Sequence, residues 1–72
     1  MFGIASGRVV EFDAHRGLGV IEADDGTRYR FHCTQIADGT RTIAVGREVA
    51  FEIVAGQLGR FEAADITPRD EE

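Results

Sequence analysis

Seventy-two residues make one domain at most, and a chain of that size buries only about 60% of the surface it exposes when unfolded. With 43% hydrophobic and 29% charged residues, it is neither a disordered polyampholyte, nor a collagen-like repeat, nor a membrane span. Little volume is left for a deep catalytic cavity, so a small binding module is expected rather than an enzyme.

Short alternating runs between glycine turns dominate the chain, with no helical periodicity. The first predicted strand is Gly7–Phe12, where Val10 and Phe12 share one parity and Val9 takes the other; that mixture predicts a bulge or strong curvature. Leu18–Glu22 is a second strand and Thr27–His32 a third, with Tyr29 and Phe31 on one face and Arg28, Arg30 and His32 on the other. Asp24-Asp25-Gly26 between them is a hairpin signal, since glycine accepts the positive φ of a tight turn. Thr34-Gln35-Ile36 reads as a helical turn that runs into a loop at Asp38-Gly39. A fourth strand, Glu48–Val54, turns Val49, Phe51 and Ile53 inward. Ala55–Gly59 is a turn, Phe61–Ile66 the last strand, and Pro68 with the acidic end stops the fold. Five short strands with one long excursion suggest a closed barrel, which removes exposed sheet edges. The expected organisation is one domain over residues 1–67 and an acidic tail over 68–72.

Charge narrows the partners. Eight basic residues, all Arg, stand against thirteen acidic ones, a net charge of −5; without Asp70, Glu71 and Glu72 the balance is eight to ten. The broad basic field of a tight non-specific nucleic-acid binder is missing, although a local Arg stripe remains compatible. Cys33, the single cysteine, cannot form an internal disulfide, and no positively charged N-terminus leads into an apolar run. The expected location is cytoplasmic, without membrane contact.

Several features together now carry a resemblance. They are Gly7-x-Val9, Phe12, Arg16-Gly17-Leu18-Gly19-Val20-Ile21, Asp25-Gly26, and Phe31-His32 before Ile36. Further along stand Gly46-x-x-Val49-x-Phe51-x-Ile53, Gly56, Gly59 and Ala63-Ala64-Asp65-Ile66. From Gly7 to about Thr67 the chain resembles the bacterial cold-shock domain. That resemblance implies an all-β, five-stranded Greek-key barrel of the oligonucleotide-binding (OB) type. It also implies a single-stranded RNA or DNA ligand held by motifs on the second and third strands. Where the family has Lys-Gly-Phe-Gly-Phe-Ile this chain has Arg16–Ile21, and for Val-Phe-Val-His it has Tyr29–His32. Glu11 replaces the family's first-strand Trp, Leu18 and Val20 its second-strand aromatics, and Arg30 its third-strand Phe. Cys33 and Thr40 stand at two further aromatic positions, and Val10 at a Lys.

The candidate nucleic-acid contacts are Arg16, Leu18, Val20, Arg30, His32, Phe12 and Arg60, with Arg8 and Arg28 as further cations. Stacking contributes about 1–3 kcal/mol per base. Two lost stacks therefore remove about 4 kcal/mol, roughly a thousandfold in affinity. A guanidinium plane at Arg30 recovers part of this by stacking and phosphate pairing, whereas Glu11 repels the backbone. The expected function is weak single-strand binding without the usual aromatic stacking. The alternative is a protein-interaction or regulatory module, with a partner or self-association through Leu18 and Val20.

Other chemistry is thin. His32 and Cys33 are strand neighbours that should point to opposite faces, so no metal site is expected. Cys33 has no accompanying acid or base and reads as a small apolar filler. Gly17-Leu18-Gly19 leads into a strand, unlike a dinucleotide-binding loop, so Gly17 should shape a turn and Gly19 relieve crowding. Glu22, Asp24 and Asp25 read as a solvated hairpin tip. No cofactor is implied.

Overall fold

The computed structural model describes residues 3–37, 39–56 and 59–69. Its strands are β1 (Ile4–Asp13), β2 (Leu18–Ala23), β3 (Arg28–His32), β4 (Glu48–Ala55) and β5 (Phe61–Pro68), with a 3₁₀ turn at Cys33–Gln35 after β3. They close into a barrel in the order β1-β2-β3-β5-β4, the all-β architecture expected of the OB type.

Closure depends on β1 serving two neighbours. Its first half pairs with β4, from Ile4↔Glu52 to Arg8↔Glu48, and Gly7–Asp13 pairs with β2. The register slips between Val9 and Glu11, so Val10 is the extra residue of a bulge. The mixed parity of Val9, Val10 and Phe12 thus records a real bend, which increases local twist and carries the strand around the barrel. The strand begins three residues earlier than its sequence suggests, because Ile4–Ser6 gain their hydrogen-bonding partners from the distant β4.

One correction applies to β5. It continues beyond Ile66 to Thr67 and Pro68, which pair with Ala50 and Val49, and the Arg69 N–H then donates to the Glu48 carbonyl at 2.8 Å. Proline is tolerated at this strand end because the bond to β4 beyond Thr67 is supplied by the Arg69 N–H, so the N–H that Pro68 lacks is not needed there. Asp65 takes a positive φ of 51° at a register shift, and its N–H donates to Gln35 Oε1 at 3.4 Å, fastening the 3₁₀ turn to β5. Asp38, Gln57, Leu58 and the tail from Asp70 to Glu72 lie outside the described residues.

Inside the barrel are Val9, Ile21, Ala23, Phe31, Ile36, Val49, Phe51, Ala63 and Ile66. Tyr29 and Ile53 pack against this core half-buried. The row Phe12↔Gly19↔Phe31 shows how volume is shared across strands. A Cβ at Gly19 would run into the Phe31 ring and lie 2.9 Å from the Glu11 carbonyl. With that space empty, Phe31 covers the glycine and stacks on Phe12, centroids 5.9 Å apart and planes within 7°. The crowding expected at Gly19 is therefore real, and an aromatic ring supplies it.

Candidate nucleic-acid interface

The β1–β2 connection fixes the position of Arg16. Asp13 Oδ1 accepts from the backbone N–H groups of His15 at 3.1 Å and Arg16 at 3.2 Å, and the Gly17 N–H donates to the Asp13 carbonyl at 2.8 Å. Gly17 completes the turn with φ of 70°, a conformation that a side chain disfavours. Side chains alternate beyond this turn, and the registers order the outward ones into rows. One row is Asp13–Leu18–His32, the next Glu11–Val20–Arg30–Glu62, and the third Arg8–Glu22–Arg28. Across the rows carboxylates oppose guanidinium groups, while along β3 the exposed residues Arg28, Arg30 and His32 form one short basic column.

Two grooves open on the lattice. The first, of about 490 Å³, is lined by Glu11, Phe12, Asp13, Arg16, Leu18, Gly19, Val20, Arg30 and Phe31. It gathers five of the residues expected from sequence: Phe12, Arg16, Leu18, Val20 and Arg30. Leu18 is 44% exposed and Val20 half-buried, so both point outward as expected. Two guanidinium groups here face two carboxylates, and the half-buried Phe12 is the aromatic nearest the surface.

The second groove, of about 620 Å³, lies along β3 and β5 and is lined by Val20, Thr27, Arg28, Tyr29, Arg30, Arg60, Phe61 and Glu62. Arg60 and Arg28 are placed here, away from Arg16. Arg8 lines neither groove and sits between Glu22 and Glu48 in the sheet. Sequence reasoning missed Phe61, which is 52% exposed. Its signal was an aromatic beside Arg60 at the first position of a strand, following a glycine turn.

His32 lines neither groove but neighbours Leu18 in the outer lattice. Its Nδ1 accepts from the Thr34 N–H at 3.3 Å and lies 3.0 Å from Thr34 Oγ1. This network assigns the neutral ring's proton to Nε2, leaving that nitrogen as a donor for a base or phosphate. The opposed placement expected of His32 and Cys33 needs correction. Cys33 begins the 3₁₀ turn, so strict alternation fails, and its Sγ approaches His32 Nδ1 to 4.0 Å. Cys33 Sγ also occupies the space that a Cβ at Gly17 would need. Among the described residues, no group of three or more His, Cys, Asp or Glu side chains could hold a metal ion.

Residues 5–69 match the family model described as the "Cold-shock" DNA-binding domain. The chain belongs to the cold-shock domain family. It is 40% identical over 63 residues to Cold shock-like protein CspD of Bacillus cereus, covering 86% of this chain and 94% of that protein. With Cold shock protein CspB of Bacillus caldolyticus it shares 41% identity over 61 residues, or 83% of this chain and 91% of the relative. A plant relative, Glycine-rich protein 2 of Nicotiana sylvestris, is 40% identical over 68 residues, 92% of this chain but 32% of the longer protein. Within the cold-shock barrel, the four positions at which the resemblance implies aromatic residues become lattice neighbours. Glu11, Val20 and Arg30 form one row, with Leu18 on the adjoining row. Among the described residues, no helix is long and apolar enough to cross a membrane.

Proposed function

We propose that this cold-shock domain binds single-stranded RNA or DNA weakly, through guanidinium and imidazole contacts supported by aliphatic rather than aromatic walls. Arg16 and Arg30 contact phosphates or stack on bases, His32 donates through Nε2, and Leu18, Val20 and Phe12 provide the apolar surface. The row Glu11–Val20–Arg30 carries the reading: it puts a carboxylate, an aliphatic side chain and a cation side by side on the first groove's wall.

Fluorescence anisotropy with labelled oligonucleotides over a salt series tests this. Two or three phosphate contacts give log affinity against log salt a slope of about −1.4 to −2.1. Absence of binding even at low salt would remove the reading. Leu18, exposed beside Val20, also supports a protein-contact reading. A mass that rises with concentration in sedimentation and returns to the monomer in Val20→Arg would favour that alternative.

A further inference from the structure

The second groove has the stronger charge and aromatic bias for a polynucleotide. Arg28, Arg30 and Arg60 line it against the single carboxylate of Glu62, whereas the first groove sets two cations against two carboxylates. The Glu62 side chain is also drawn aside, filling the space that a Cβ at Gly56 would need. Phe61 is half exposed on the groove wall, and Tyr29 contributes to the same lining. A positive groove with an exposed aromatic is the combination that single strands use, because the cations track the backbone and any base can stack on the ring.

The topology explains why a groove opens here. β3 and β5 run parallel and share one register pair, Arg30↔Glu62, with a further parallel bridge at Ile36↔Ile66. Counting back from that pair puts Arg28 and Arg60 level with one another at the splayed end of the seam. Val20 and Arg30 belong to both grooves, making the two surfaces continuous.

We infer that the β3–β5 seam is a second nucleic-acid subsite, in which one base of a single strand stacks on Phe61 while Arg28 and Arg60 hold flanking phosphates. Arg30 passes the strand between the first groove and this one. The inference rests on the single-strand reading above, and adds to it a displaced stacking platform and a longer footprint.

Labelled oligothymidylates of increasing length test the subsite by anisotropy, comparing wild type with Phe61→Leu and Arg16→Gln. Phe61→Leu keeps apolar bulk but removes the aromatic face. It should weaken binding of strands long enough to reach both grooves by about fivefold to a hundredfold. The shortest strands that bind should be unaffected. Arg16→Gln should weaken binding at every length. On the unaltered chain, amide shifts of Arg28, Arg60 and Phe61 should move with the long strand and remain still with the short one. This shift mapping decides the matter if Phe61→Leu does not fold. Wild-type affinity in Phe61→Leu at every length, with loss in Arg16→Gln, overturns the seam subsite and leaves the first-groove reading standing. Absence of binding by the wild type at low salt overturns both.

Discussion

The inner and outer faces of β1–β3 are made of alternating residues from the same strands, yet they differ sharply in how tightly they are specified. Inside, Phe31 fills the space above Gly19, and Val9 and Ile21 are fully buried. Each inner side chain is bounded by others at close-packed density, so a change in volume strains the row or opens a cavity. Outside, Glu11, Leu18, Val20 and Arg30 pair along the sheet beneath solvent or a ligand. The difference teaches that the barrel can be retained while its binding chemistry is rewritten, because consecutive residues answer to separate constraints.

Phe51→Ala is the strongest challenge to the inner half of this contrast. Phe51 is 1% exposed and its ring lies 5.5 Å from that of Tyr29. Truncation of a core Phe costs about 3–5 kcal/mol, most of the stability of a domain this small. A fall in Tm of at least about 12 °C, or outright unfolding, is expected by calorimetry. A shift of only a few degrees would show that the interior relaxes more freely than close packing allows.

The outer half is tested by restoring the family's aromatic surface. Glu11→Trp, Leu18→Phe and Val20→Phe together should raise oligonucleotide affinity at least tenfold, about 1.4 kcal/mol. Tm should change by far less than in Phe51→Ala, since these side chains are outside the core. A folded triple variant with unchanged affinity would separate the outer lattice from ligand binding.

Local features were legible in the chain where neighbouring residues decide them. Tyr29 and Phe31 alternating with Arg28, Arg30 and His32 disclosed both faces of β3, and the parity of Val9, Val10 and Phe12 disclosed the bulge. Features decided by distant partners were not. Ile4–Ser6 become strand through β4, and Thr67 and Pro68 also gain their partners there. The groove beside Phe61 exists because β3 meets β5 in parallel across an interval of chain that no local period reports. His32 and Cys33 approach one another because the backbone changes from strand to 3₁₀ turn at that junction, which a two-residue period cannot anticipate.

The β2–β3 hairpin offers the smallest effect, arising at an exposed position that belongs to neither the core nor the grooves. Asp25 Oδ1 accepts from the Thr27 N–H at 2.9 Å. This backbone bond, followed by one from the Thr27 side chain, holds the Asp25 carboxyl below its ordinary value of 3.8. A carboxyl lowered on folding binds fewer protons in the native chain than in the unfolded one. Its contribution is therefore complete above 3.8 and disappears as pH falls through the native value. Asp25→Ala should lower Tm slightly near neutrality, with the gap to wild type narrowing below that point. Asp25→Asn, which keeps an acceptor oxygen without the charge, should fall between them. Thermal melts from about pH 7 to about pH 2 check this. A gap that stayed constant across the series would attribute the effect of Asp25 to turn geometry alone and remove its charge from the hairpin's stability.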